Sequence, residues 1–191
     1  MNQSDLQILI KAFPQSLKED IIKVSKHISN LSYLENENNN NISGITAFSL
    51  LSDEIIEIPN RVYYKDCNDI TNFTNTQKLI YHCIFSRSCD GFVRENNLQQ
   101  ILNLEYEDWC FPYIVKLADE YVIEILDKIY IHFKNQDCTK LIEFCSLNEK
   151  YLNSANSRMI SYWNEYYRNQ YIKISDYIGK KLFVECFGID K

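Results

Sequence analysis

Glycine and proline are scarce here, with four Gly and three Pro among 191 residues. An all-β chain of this length needs a turn every ~8–12 residues, and such turns draw on those two residues. The scarcity therefore argues for helices joined by few sharp corners. Because the glycines stand far apart, a glycine-rich phosphate-binding loop is not expected. No run approaches the ~18 apolar residues of a membrane span, so no membrane partner is expected either. Met1 to Gln7 is polar and lacks a basic stretch leading into an apolar one, which argues against a secretory signal. The seven Cys (67, 83, 89, 110, 138, 145 and 186) include no Cys-x-x-Cys pair. Reduced, buried thiols in a cytoplasm are the expectation. Basic residues are outnumbered, 20 Lys and Arg against 26 Asp and Glu, and they are scattered along the chain. A nucleic-acid binder usually shows a basic face; this balance suits a basic protein partner instead.

Hydrophobic residues make up 46% and charged residues 24% of the chain, a globular composition sized for one domain with a substantial core. The 14 Tyr and 10 Phe promise an aromatic-rich core and aromatic-rich interfaces. We read 1–191 as a single helical domain, with an N-terminal helical hairpin over 1–29, a flexible Asn-rich loop over 30–43 and a main body over 44–191.

The hairpin begins with a helix from Ser4 to Phe13, stopped by Pro14. Ser16 and Glu19 have the spacing of a capping box and open a second helix reaching Ser29, with Leu17, Ile21, Val24 and Ile28 at helical spacing. Ile45, Phe48, Leu50 and Leu51 could form a short helix. Residues 54–64 have β-like composition, and Pro59 would confine a strand to an edge. An extended segment or a two-stranded piece on a helical body is expected there.

The centre of the chain is Thr76 to Phe133. Thr74 and Gln77 form a second possible capping box, before a helix from Asn75 to Arg87. Asp90 is placed to cap a helix from Gly91 to Leu102. Pro112 to Phe133 reads as one long helix. On a wheel, Ile114, Leu117, Ala118, Tyr121, Val122, Ile125, Leu126 and Ile129 fill one half, while Lys116, Asp119, Glu120, Glu124, Asp127 and Lys128 fill the other. Ile123 falls inside that acidic arc, and Ile131 lies near its edge. Further helices are expected over 137–147, over 154–169, and from a cap at Ser175 or Asp176 to Gly188. Gly179 suggests a close approach to a neighbouring helix. In the 154–169 helix, Tyr162, Trp163, Tyr166 and Tyr167 form an aromatic stripe, which core packing explains better than a surface.

No catalytic signature emerges. His82, Cys83, Cys89 and Cys110 come nearest to a metal set but lack ligand spacing, so no metal and no cofactor are expected. Neither a nucleophile elbow nor a Cys–His motif is visible. The acidic arc is most simply a solvated face. Its functional version is a site for a basic partner, and Asp119, Glu120, Ile123, Glu124, Asp127, Trp163 and Tyr167 are its candidate residues.

The run Asp90-Gly91-Phe92-Val93-Arg94, continuing to Leu98, Ile101 and Leu102, resembles the second-helix pattern of HEAT-type repeats. The likeness covers residues 76–102 and implies packing roles for Asp90 and Arg94. The chain as a whole looks like small bacterial proteins of no assigned activity. The expected fold is all-α, an irregular HEAT-like stack of about seven or eight helices with a short extended element near 55–64. The expected function is a cytoplasmic protein-binding module of immunity or antitoxin type that neutralises a toxic partner. The alternatives are a self-associating scaffold and an enzyme or small-ligand binder without a recognisable motif.

Overall fold

A computed structural model describes residues 3–29, 41–66 and 69–189. Among these the chain is mostly helical, with nine α-helices and one two-stranded antiparallel sheet. It divides into two compact units, Met1–Tyr113 and Ile114–Lys191. The sequence reading had set its only division at the loop 30–43. Residues 30–40 of that loop lie outside the described residues, and Ile42 and Ser43 already belong to a strand.

In the first unit, α1 spans Gln3–Lys11 and α2 spans Lys18–Ser29. A 3-10 turn, Gln15–Leu17, lies between them, so Ser16 sits inside a turn rather than at the cap position its spacing with Glu19 suggested. Strands β1 (Ile42–Ser49) and β2 (Ile55–Val62) form a hairpin in the register Ile42↔Val62 to Ser49↔Ile55. This two-stranded piece replaces the short helix considered around Ile45–Leu51. Its turn closes through Leu50 N to Glu54 O at 2.8 Å and uses Asp53 at φ +64°, a left-handed conformation that Asp tolerates better than most residues. Pro59 lies opposite Ile45 in this two-stranded sheet.

Helix α3 (Asn75–Phe85) is the centre of the unit: every residue from Leu79 to Phe85 is buried. A helix apolar on all sides belongs inside a core. Its start is the capping box read from the sequence, with the Gln77 amide donating to Thr74 Oγ1 at 3.2 Å and the Thr74 amide to Gln77 Oε1 at 3.3 Å. Helix α4 (Gly91–Asn103) starts where Asp90 accepts from the Phe92 amide at 2.8 Å. Arg94 is buried and donates to the Ser88 and Cys89 carbonyls at 2.9 and 3.1 Å, clamping the turn between the two helices. The end of β2 joins the same turn, through Val62 N to Arg87 O at 2.8 Å and Cys89 N to Val62 O at 3.0 Å.

Removing the cap should be measurable. Asp90→Ala is expected to cost about 1 kcal/mol, which lowers the melting temperature of a unit this size by about 4–8 °C. Asp90→Asn, which keeps the acceptor, should recover most of it. Thermal unfolding followed by circular dichroism checks both variants, and equal losses in the two would contradict the capping role.

Helix α5 (Phe111–Leu117) contains the division between the units. In the second unit α6 (Ile123–Phe133), α7 (Thr139–Leu147) and α8 (Glu149–Tyr162) follow. A π-helical turn, Trp163–Tyr167, extends α8. The chain then passes through a 3-10 turn, Ile174–Asp176, into α9 (Ile178–Lys181) and a second π-helical turn, Leu182–Cys186. Ser175 and Asp176 thus lie in the 3-10 turn, and Tyr177 holds the cap position assigned to them from sequence. Gly188, at φ +72°, follows the last helical turn.

The single helix expected over Pro112–Phe133 does not form. The backbone leaves the helix after Leu117 and resumes at Ile123, with Val122 extended at φ −79°, ψ 106°. The Ile125 amide, which a continuous helix would give to Tyr121 O, goes to Val122 O instead, and Tyr121 O accepts the Tyr167 hydroxyl at 2.6 Å. A β-branched pair, Val122-Ile123, marks the restart and is a weak helix former. The polar half of the wheel dissolves with the break. Lys116 and Glu120 are buried, whereas Tyr121, assigned to the buried half, is 55% exposed.

Candidate functional site: tyrosines on a π-helical turn

The broader winding of a π-helical turn changes the phase of the side chains that follow an α-helix, and such turns are frequent at functional sites. Here Trp163–Tyr167 brings the tyrosines of α8 against the break between α5 and α6, all within the second unit. The Tyr121 ring lies 6.0 Å from Tyr162 and 5.7 Å from Tyr166, and Tyr162 and Tyr166 are 6.4 Å apart. These are the separations at which aromatic pairs attract. Tyr166 is 61% exposed. None of Trp163 to Tyr167 is buried, so the stripe for which core packing was the better sequence explanation is a surface.

That surface is anchored from below. Tyr177, fully buried, stacks on Tyr167 at 5.3 Å and meets Tyr171 edge-on at 5.6 Å. The Tyr167 hydroxyl donates to Tyr121 O, so one side chain ties the π-helical turn to the helix break. Burial raises the pKa of this hydroxyl; the Ile123 amide opposes that shift and the Glu124 carboxylate adds to it. The hydroxyl thus stays protonated, as its donor role requires. Trp163 donates through Nε1 to Tyr171 O at 2.9 Å, with the Arg168 guanidinium 5.8 Å from its ring centroid.

The seven candidate partner residues therefore separate. Asp119 is engaged by Arg158, with Nε to Oδ1 at 2.6 Å and Nη2 to Oδ2 at 2.7 Å, and it also accepts from the Tyr151 hydroxyl at 3.1 Å. This pairing raises the Arg158 pKa, the Asp119 hydrogen bond being the main cause. Glu120 is buried, so neither acid belongs to an open arc. Ile123 is half-buried at the start of α6, while Glu124 and Asp127 are exposed on it. Trp163 and Tyr167 are half-buried and brace the surface from within it. Tyr121 was missed because the helix wheel assumed an unbroken helix.

Of the residues that come nearest to a metal set in the sequence, Cys83 and Cys110 meet and Cys89 stands apart from them in exposure. Cys83 and Cys110 are buried, Cys89 is exposed, and among the described residues no group of three or more His, Cys, Asp or Glu is arranged to hold a metal ion. Burial pushes the Cys83 thiol well up, with its hydrogen bond to Cys110 adding to the effect, and burial pushes Cys186 up to about 12. Such thiols remain protonated at neutral pH, the opposite of an activated nucleophile. His82 belongs to a separate polar network in the first unit, through Asn97 and Asp66. Asn97 was not singled out from sequence. Its signal was a polar residue on the α4 face shared by Arg94, Leu98 and Ile101.

Chemically, Tyr121 and Tyr166 offer exposed ring faces and hydroxyls, and the exposed Glu124 carboxylate acts on the neighbouring Tyr167 hydroxyl, a combination that attracts cationic and amphipathic groups. No protein-family model, curated protein or solved structure matches this chain. No helix among the described residues is long and apolar enough to cross a membrane.

Proposed function

We propose that this is a protein-binding module whose contact face is Tyr121, Tyr162 and Tyr166, with Glu124 beside them. The partner presents a segment rich in Arg and Lys. One observation carries this reading: three mutually contacting tyrosines, Tyr121 from the helix break, Tyr162 from the end of α8 and Tyr166 from the π-helical turn, meet at the surface of the second unit, and Tyr177 packs beneath that turn. Rigid exposed aromatics lose little entropy on binding and are frequent hot spots. Cations are drawn to ring faces, and a net charge of −6 speeds encounter with a basic partner. The wider form of the proposal is an immunity or antitoxin-type protein, acting in the cytoplasm, that covers the basic surface of a toxic partner. The α3–α4 pair, with its Asp90 cap and Arg94 clamp, is read in the same spirit as a HEAT-type helical pair.

The test is binding of a fluorescent peptide that alternates Arg or Lys with Leu, against a counterpart carrying Glu at the basic positions. The basic peptide is expected to bind, more weakly as salt rises, and to lose about tenfold or more in affinity with Tyr166→Ser or Glu124→Lys. Both substitutions are at exposed positions, so folding is not at stake. Equal binding of variant and parent would remove this face from consideration. The scaffold alternative predicts a different result, namely concentration-dependent light scattering that Tyr166→Ser abolishes.

A further inference from the structure

The first unit carries a groove of about 500 Å³ between Ile70 and Leu104, into which Lys78, His82, Asn96 and Gln100 also project. Its chemistry follows from a chain of hydrogen bonds behind it. Asn97 gives its amide protons to Asp66 Oδ2 at 3.0 Å and to the Val93 carbonyl at 2.8 Å. An amide that donates with its nitrogen must accept with its oxygen. The contact of 2.8 Å between Asn97 Oδ1 and His82 Nδ1 is therefore an N–H donated by the imidazole. Asp66 is fixed in turn by the Tyr81 hydroxyl, at 2.5 Å from Oδ1. The neutral ring consequently carries its lone pair on Nε2. That atom has no hydrogen-bond partner among the described residues, and it is not sealed from the groove.

Burial lowers the His82 pKa, against the opposing influence of Asn97 and Asp66 and with a small contribution from Lys78 in the same direction. The ring is thereby held neutral, as an acceptor, at neutral pH. Its surroundings complete a recognition pattern. Lys78 has no carboxylate partner among the described residues, so its ammonium is available to an anion. The Asn96 and Gln100 amides supply one donor and one acceptor function each, and Ile70 and Leu104 form apolar ends.

We propose that this groove binds a small organic carboxylate that also carries a hydroxyl or amino group: the carboxylate meets Lys78, and the O–H or N–H donates to His82 Nε2. The site is independent of the tyrosine face, and either could exist without the other. A purely structural His82–Asn97–Asp66 chain would explain the ring's orientation, but not the presence on one groove of an open acceptor and a lysine that has no carboxylate partner among the described residues.

The experiment is nitrogen NMR of the His82 imidazole in the full chain, titrated at millimolar concentration with glycolate, lactate, serine and glutamate, and with acetate and sulfate as comparisons. At least one hydroxy- or amino-carboxylate is expected to move the Nε2 resonance saturably, at constant pH. Acetate and sulfate, which are anions without the adjacent donor, should bind about tenfold more weakly or not at all. Lys78→Gln, at a half-exposed position, should weaken binding about tenfold while leaving the free Nε2 resonance in place. The proposal is overturned if none of the four shifts the resonance, if sulfate and acetate do so equally well, or if Lys78→Gln leaves binding unchanged.

Discussion

Tyr113→Ala is expected to cost the first unit about 3–5 kcal/mol, the range for an aromatic ring lost from a packed core. The ring is 1% exposed and stacks on Phe13 at 5.2 Å, and Phe13 meets Trp109 edge-on at 5.8 Å. Its hydroxyl donates to the Ala12 carbonyl at 2.6 Å, joining the two ends of the unit across a long stretch of chain. Truncation removes the packing and leaves that carbonyl without this donor. Tyr113→Phe separates the two contributions, because it keeps the ring and loses only the hydrogen bond, for about 1–3 kcal/mol. Only two Trp occur in the chain. With Trp163→Phe as background, urea unfolding followed by Trp109 fluorescence reports on the first unit alone. A loss below about 1 kcal/mol for the alanine variant would refute the closing role.

The same hydroxyl gives a pH dependence. Burial pushes the Tyr113 pKa well above its ordinary value, with Cys83 and Cys110 adding to the effect and Arg87 opposing it. The folded chain then holds a proton that the unfolded chain releases above pH ~10. The contribution is fully present below that pH and is lost as pH rises beyond it.

The parts of the fold that were legible in the sequence are those decided by neighbours along the chain. The Thr74–Gln77 box and the Asp90 cap need only a side chain and an amide two or three residues away, and both formed as read. Helical spacing in α4 and α6 likewise survived, because each buries a stripe its own sequence supplies, whereas α3 is buried on all sides from Leu79 to Phe85. What failed was decided from a distance. The apolar period from Pro112 to Phe133 is nearly continuous, yet the Tyr167 hydroxyl takes the Tyr121 carbonyl and Arg158 takes Asp119, so the backbone breaks where the wheel saw none. Those partners lie about forty residues away in sequence, beyond any window of periodicity. The candidate site was half legible for the same reason. Tyr162, Trp163, Tyr166 and Tyr167 could be found as a stripe, but its exposure depended on a π-helical turn and on Tyr121, neither of which has a sequence signal of its own. Strand β1 was missed because Gly44, Thr46 and Ala47 give it a weak alternation; β2 declared itself through Ile55, Ile56, Ile58 and Val62.

Gly179→Val is expected to be the most damaging single change in the second unit, and to act on the tyrosine face as well as on stability. A Cβ at this position would stand 2.6 Å from Tyr177 Cε1 and 3.0 Å from Met159 Cγ. The Met159 side chain can flex; the Tyr177 ring cannot, because it is fully buried and stacked on Tyr167. Displacing Tyr177 therefore displaces Tyr167, whose hydroxyl holds the helix break beneath Tyr121. Even Gly179→Ala, which favours a helix by about 1 kcal/mol through backbone propensity, should be net destabilising, since overpacking of this kind costs about 1–3 kcal/mol. The valine variant should exceed it. The decisive reading is a joint one. Thermal unfolding should show the loss of stability, while near-ultraviolet circular dichroism at a temperature where the variant is still folded should show a weakened tyrosine signal. Basic-peptide affinity should fall together with that signal. If Gly179→Ala raised the melting temperature, or if the tyrosine signal persisted in a destabilised valine variant, the link from Gly179 through Tyr177 and Tyr167 to Tyr121 would be broken.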